Sequence, residues 1–94
     1  MRGHVIAEDR FLHQGIEHHL FVTDIENEEN EYRFEVTCIP PGGETAETVF
    51  EKLVNFSAEL SHSPNITLDD LMDSELIAVK NAVYGDEDMH IHDP

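Results

Sequence analysis

The sequence predicts an α+β domain in which a three-stranded antiparallel sheet is followed by two amphipathic helices packed on one face. Two periodicities carry this prediction. Residues 16–38 place apolar side chains at alternate positions, as half-buried strands do. Residues 45–60 and 67–84 repeat apolar side chains every three or four positions, which is typical of a helix. Pro40-Pro41-Gly42-Gly43 separates the two regions, and proline cannot donate a hydrogen bond to a sheet.

The first two strands differ in the clarity of their patterns. Residues 5–12 are interpreted as a short strand interrupted near the charged triplet Glu8-Asp9-Arg10, with a helical turn as the alternative. Residues 16–25 predict a strand with apolar side chains on both faces, which favours a central strand or one that is partly covered on both sides. One face of this strand carries Ile16, His18, Leu20 and Val22, and the other carries His19, Phe21, Thr23 and Ile25.

The third strand and the segment before it predict a β-hairpin. Residues 32–38 alternate regularly, with Tyr32, Phe34, Val36 and Cys38 on one face. The acidic segment 24–31 precedes them and contains neither Gly nor Pro. Because both flanks are rich in β-branched and aromatic residues, we predict a hairpin whose loop has about five residues. Cys38 is the only cysteine, so no internal disulfide can form, and it is predicted to be a small buried side chain.

Two amphipathic helices are predicted after the proline-glycine segment. The first begins at about Thr45, its N-cap, and its apolar stripe is Ala46, Val49, Phe50, Leu53, Phe56 and Leu60. The second begins at a capping box formed by Thr67 and Asp70 and ends near Gly85. Its stripe is Leu68, Leu71, Met72, Leu76, Val79 and Val83. Residues 1–85 are expected to form one domain, and residues 86–94 an acidic, histidine-containing, flexible tail.

The charge balance limits the possible partners. The 94 residues include 21 Asp and Glu but only 5 Lys and Arg, so the formal net charge is −16. Such a chain repels nucleic acid and anionic membranes, and its natural complement is a basic protein. No apolar run reaches the roughly 18 residues of a membrane span and no signal peptide is recognised. A cytoplasmic location is therefore expected, in a host cell if the chain is viral.

No cofactor, metal site or catalytic centre is expected. His18 and His19 are adjacent in a strand, so their side chains point to opposite faces and do not chelate one ion. His90 and His92 have chelating spacing, but they lie in the predicted tail without a rigid scaffold, and whether they bind a metal stays open. Because the carboxylates fall mainly on helix faces and loops rather than in a pocket, a non-enzymatic protein is expected.

The acidic residues are concentrated in two segments. Residues 24–35 hold six carboxylates and one arginine, and residues 68–94 hold eight carboxylates and one lysine. A rigid array of carboxylates can imitate a duplex, which carries one negative charge per roughly 1.7 Å of its axis. We therefore expect an inhibitor, encoded by a phage or mobile element, that mimics nucleic acid. Its target would be the basic surface of a host nuclease, restriction, CRISPR or recombination protein.

The residues expected to contact this partner are Asp24, Glu26, Glu28, Glu29, Glu31, Asp69, Asp70 and Asp73. The alternative function is a small structural or adaptor protein that forms a homodimer, or binds other partners, through an open edge of its sheet. Two simpler interpretations of the charge also stay open. The acidic residues could form a solvated surface that confers solubility, or they could be an adaptation to high salt.

Overall fold

Four strands and two helices make up the computed structural model, which describes the backbone of residues 4–92 and the side chains of residues 4–85. The elements are β1 (Val5–His13), β2 (Ile16–Asp24), β3 (Glu31–Cys38), β4 (Glu47–Asn55), α1 (Ser57–His62) and α2 (Leu68–His92). The strands form one antiparallel sheet in the order β1-β2-β3-β4. The predicted α+β class is confirmed, but the predicted count of three strands is wrong. The packing of both helices on one face stays a prediction.

The fourth strand replaces the helix predicted over residues 45–60. Thr48, Val49 and Val54 are β-branched, and β3 offers this segment a complete antiparallel partner with Val36 opposite Phe50 and Tyr32 opposite Val54. The apolar residues do recur every three or four positions, as in a helix. Pairing of this segment with β3 nevertheless stabilises a strand. Helical structure begins only after β4, in the short helix α1.

The β2–β3 hairpin is confirmed and forms the centre of the sheet. Its register places Val22 opposite Phe34 and Leu20 opposite Val36, and all four side chains are fully buried. The loop covers residues 25–30, and Asn27 and Asn30 adopt positive φ angles of 69° and 63°. Asparagine tolerates this left-handed conformation better than most residues, so the loop turns without the Gly that its sequence lacks.

β1 is a continuous strand, which confirms that residues 5–12 are extended. The break predicted at Glu8-Asp9-Arg10 is wrong, because these residues pair in register with Phe21, Leu20 and His19 of β2. The pairing irregularity lies earlier, between Val5 and Ala7. Charged residues are accommodated here because β1 is an edge strand, whose side chains and outer backbone groups reach water.

α2 contributes to the core and crosses the sheet. Met72 and Val79 belong to the buried cluster that includes the hairpin residues and Phe56. Glu75 in α2 binds Lys52 of β4 at 2.9 Å. Lys80, further along the helix, forms an ion pair with Asp9 of β1. The helix axis therefore runs from β4 towards β1 as the chain advances.

The sequence predicts the start of α2 correctly but not its end. Its start is confirmed, because Leu68 is its first residue and Thr67 precedes it. Gly85 does not end the helix, whose backbone continues to His92. A single Gly is tolerated inside a helix at a cost of about 1 kcal/mol relative to Ala. The flexibility of residues 86–94 stays a prediction, because their side chains, including His90 and His92, lie outside the described part of the structure.

The free edge of β1 is covered by hydrogen bonds from side chains. The backbone N–H of Arg10 donates to Asp9 Oδ1 at 2.8 Å, and the Tyr84 hydroxyl donates to the carbonyl oxygen of Leu12 at 2.9 Å. Lys80 holds the same Asp9 carboxylate through Oδ2. Because these bonds occupy outward-pointing backbone groups, they protect the β1 edge against pairing with another chain.

The ion pair at this edge predicts a pH dependence of stability. The hydrogen bond from Lys80, and secondarily that from the Arg10 N–H, lower the pKa of the Asp9 carboxyl below its ordinary value of 3.8. Such a carboxylate stabilises the fold above its unfolded-state pKa and loses that contribution as the pH falls through the lower folded-state value. Asp9→Asn should therefore lower the free energy of unfolding near pH 7, and its cost should shrink below about pH 4.

Urea unfolding of both chains between about pH 3 and about pH 7 measures this cost. Lys80→Gln supplies the control background, in which Asp9→Asn should cost less because the main partner of the carboxylate is gone. If the cost of Asp9→Asn in the free energy of unfolding stayed constant down to the lowest pH, the lowered pKa of Asp9 would be contradicted.

Candidate functional site

The hairpin loop carries the first group of predicted contact residues. This loop patch consists of Asp24, Glu26, Glu28, Glu29 and Glu31. The three glutamates at its tip are exposed, whereas Asp24 and Glu31 are partly buried at the ends of the strands. Asp24 Oδ1 accepts the N–H of His4 at 2.5 Å, and Glu31 Oε1 accepts the side-chain amide of Asn55 at 3.3 Å. The base of the patch is therefore fixed by hydrogen bonds to uncharged groups.

The start of α2 carries the second group, the helix-start patch, which consists of Asp69, Asp70 and Asp73. All three side chains are exposed. The Asp70 N–H donates to Thr67 Oγ1 at 3.1 Å, and the Thr67 N–H donates to Asp70 Oδ2 at 3.4 Å. The predicted capping box is therefore confirmed, with Asp in the position that Glu usually takes. Carboxylates here also interact favourably with the positive end of the helix dipole.

The capping box predicts a measurable loss of stability. Thr67→Ala removes the side-chain acceptor of the Asp70 N–H and should cost about 1 kcal/mol in the free energy of unfolding. Thr45→Ala is the matched control, because Thr45 is exposed in a loop and precedes a strand rather than a helix. It should change the free energy by less than about 0.5 kcal/mol. Urea unfolding compares the two, and equal costs would contradict the capping role.

The hairpin loop and α2 both lie close to β4. The N–H of Phe56, immediately after β4, donates to the carbonyl oxygen of Asn30 at 2.9 Å, so the hairpin loop lies beside the end of that strand. The Glu75–Lys52 contact brings the second turn of α2 to the middle of β4. Leu68, Leu71 and Met72 of these turns pack against the core, so the exposed helix-start patch lies on the side of α2 that faces solvent.

Of the four Lys and Arg side chains within residues 4–85, Arg10 lies in β1 opposite His19, and the other three form ion pairs. Arg33 pairs with Glu51 at 3.5 Å, Lys52 with Glu75, and Lys80 with Asp9. None of these carboxylates belongs to either patch. No ion pair described for residues 4–85 involves a carboxylate of the loop patch or the helix-start patch, so their negative charge is available to a partner.

The patches are separate areas rather than one continuous strip. The acidic residues of α2 up to Gly85 lie in its first two turns, and residues 76–85 contain Lys80 as their only charged side chain. The exposed part of that stretch includes the apolar Ile77, whose exposed fraction is 60%. A partner that recognises charge alone must therefore contact the two patches and not the length of α2 up to Gly85.

The histidines and Cys38 do not gather into a metal site in the described part of the chain, where no group of three or more His, Cys, Asp or Glu side chains could hold an ion. His18 is buried and stacks on Phe11 with a ring separation of 5.4 Å, whereas His19 binds Glu8 at 2.8 Å on the other face of the sheet. The two side chains thus point to opposite faces, as the sequence predicts.

A shallow cavity of about 240 Å³ lies on the face of the sheet that carries His19. Arg10, Glu17 and Thr37 also line it, and Cys38 borders it. This volume is below the roughly 300–1,000 Å³ of typical small-molecule sites. None of the eight predicted contact residues lines the cavity, so it is separate from both patches.

No protein family, curated protein or solved structure matches the chain. Among the described residues, neither helix combines the length and the apolar character needed to cross a membrane.

The sequence did not identify the strand β4, which lies next to the hairpin loop. Val49 and Leu53 lie on this strand with exposed fractions of 49% and 56%, although a helix prediction placed both in the core. The β-branched run Thr48-Val49 was the available signal for a strand.

Proposed function

We propose that this protein is a non-enzymatic acidic inhibitor that binds the basic nucleic-acid-binding surface of another protein. The observation that carries the proposal is the unneutralised state of the loop patch and the helix-start patch. Arg33, Lys52 and Lys80 pair with carboxylates outside both patches, and no ion pair described for residues 4–85 involves a patch residue. Carboxylates that already have a cation gain little from a basic partner, whereas these eight gain the full interaction.

Partial fixation of the patches also supports the proposal. Asp24, Glu31 and Asp70 accept hydrogen bonds from backbone or amide groups. Their positions are thus set without loss of charge, which lowers the entropy cost of binding. A net charge of −16 accelerates encounter with a basic surface and disfavours nucleic acid as a direct ligand. Nucleases, restriction and CRISPR proteins, and recombination proteins expose such surfaces, and a phage or mobile element is the proposed source.

Affinity capture from a cell lysate tests the proposal. The immobilised chain should retain nucleic-acid-binding proteins and release them as the salt concentration rises, because the contact is between exposed charges. A variant with all eight patch residues changed to Asn or Gln should retain none of them. Capture of the same proteins by this variant, or a retained set without nucleic-acid-binding proteins, would contradict the proposal.

A further inference from the structure

The cavity on the face of the sheet that carries His19 has charged groups of both signs in its lining. Arg10 of β1 and Glu17 of β2 both line it. Arg10 lies opposite His19 and Glu17 lies opposite Leu12, so the two charged side chains occupy diagonal positions of adjacent strands on one face. Diagonal neighbours are separated by roughly 7–8 Å. A small molecule between them can therefore contact the guanidinium and the carboxylate together.

Neither charge is neutralised by the protein itself. No ion pair or side-chain hydrogen bond described for residues 4–85 involves the Arg10 guanidinium or the Glu17 carboxylate. Arg33 and Glu51, which lie elsewhere on the same face, instead pair with each other at 3.5 Å. Both charges in the cavity are therefore available for charge-assisted hydrogen bonds to a ligand.

A hydroxyl group extends the polar side of the cavity. Thr37 of β3 lies opposite His19 and lines the cavity. His19 already binds Glu8 through Nε2 at 2.8 Å. The side-chain hydrogen bonds described for residues 4–85 do not involve Thr37 Oγ1. This hydroxyl can therefore donate to an acidic group of a ligand held by Arg10.

The loop between β3 and β4 supplies an apolar wall. Ile39 and Ala46, at the two ends of this loop, line the cavity. Between them, the Gly43 N–H donates to the carbonyl oxygen of Pro40 at 2.9 Å, and Gly42 has a φ angle of 79°. Both features are typical of a type II turn. Because the turn fixes the loop, the wall is in place before a ligand binds, which lowers the entropy cost of binding.

The charge of the chain restricts the class of ligand. A net charge of −16 disfavours a free anion, whereas the Arg10 guanidinium disfavours a simple cation inside the cavity. A zwitterion has no net charge and offers one group to each of the two charged side chains. The volume of about 240 Å³ suits a ligand smaller than those of typical small-molecule sites.

We propose that this cavity binds a free α-amino acid with an aliphatic side chain. Arg10 and the Thr37 hydroxyl bind its carboxylate, and Glu17 binds its ammonium group. Its side chain packs against Ile39 and Ala46. The inference goes beyond the proposed function and does not depend on it, because none of the eight patch residues lines the cavity.

NMR titration of the isotopically labelled chain with free L-leucine tests this site. Leucine should shift the amide resonances of the residues that line the cavity, with a Kd on the order of 1 mM because the site is shallow. Isoamylamine is leucine without its carboxylate, and isocaproate is leucine without its ammonium group. Each should bind at least tenfold more weakly, since each loses a charge-assisted hydrogen bond. Glycine keeps both charges but has no side chain to cover the wall, and it should bind several-fold more weakly.

Two pairs of protein variants locate the charges that bind the ligand. Arg10→Gln and Glu17→Gln should each weaken leucine binding at least tenfold. Arg33→Gln and Glu51→Gln remove the same charges from the same face outside the cavity, and they should bind leucine within about threefold of the unsubstituted chain. All four side chains are exposed, so the variants are expected to fold, and the amide spectrum of each variant checks this.

The outcomes separate a zwitterion site from simpler contacts. Shifts confined to the cavity, with weaker binding of both charge-deleted ligands and of both cavity variants, support the inference. Equal binding of isocaproate and leucine overturns it in favour of a plain carboxylate site. Equal binding of isoamylamine overturns it in favour of a cation on an acidic surface. Equal losses in Arg10→Gln and Arg33→Gln, or no shifts at about 50 mM leucine, also overturn it. All of these results leave the proposed function standing, since no patch residue is changed.

Discussion

Phe34→Ala should abolish cooperative folding at low salt. Phe34 is fully buried in β3 and packs edge-on against Phe56, with ring centroids 6.5 Å apart. Removal of a buried Phe side chain costs roughly 3–5 kcal/mol, because apolar contacts are lost and a cavity remains. Domains of this size have about 5–15 kcal/mol of stability in total, and the −16 charge reduces it further through self-repulsion.

Urea unfolding at low and high salt measures this effect. Screening of the repulsion by salt should restore part of the cooperative transition. Ile77→Ala is the control, since Ile77 is 60% exposed on α2, and it should change the free energy of unfolding by less than about 0.5 kcal/mol. A cost below about 1 kcal/mol for Phe34→Ala would contradict the assignment of Phe34 to the centre of the core.

Charge removal from either patch should weaken binding of a basic partner while the chain stays folded. The two test variants are the loop triple E26Q/E28Q/E29Q and the helix triple D69N/D70N/D73N. Exposed charge pairs contribute about 0.2–1 kcal/mol each, so each triple should lose roughly tenfold in affinity. Because substitution of an acidic residue relieves self-repulsion, neither triple is expected to unfold.

The control triple E17Q/E35Q/E44Q removes the same number of charges outside both patches. It should retain affinity within about threefold, since only the long-range attraction changes. Titration calorimetry against a captured partner gives the affinities, and the patch triples should also show a weaker dependence on salt. Equal losses in all three triples would mean that net charge alone, and not the position of the patches, governs binding.

Residues 16–38 were predictable because one structural signal dominated there. Alternating apolar residues specified β2 and β3, their loop and the buried faces that carry Leu20 and Phe34. The start of α2 was predictable for a similar local reason, since Thr67 and Asp70 form a capping box within four residues. Local hydrogen bonds and a strict alternation of apolar residues are compatible with few other secondary structures.

β4 was not predictable from its own residues. Phe50 and Leu53 fit a helical stripe, and only pairing with β3 decides between the two structures. The continuation of α2 beyond Gly85 likewise conflicts with the local signal for a helix end.

The most direct test of the proposed function is a competition measurement. A partner captured from lysate is mixed with fluorescently labelled duplex or single-stranded nucleic acid at its dissociation constant, and the acidic protein is titrated in while anisotropy is recorded. The account predicts complete displacement of the nucleic acid. The protein concentration that displaces half of it should rise at least tenfold when all eight patch residues are changed to Asn or Gln. Simultaneous binding of nucleic acid and protein, seen as no displacement at saturation, would contradict it.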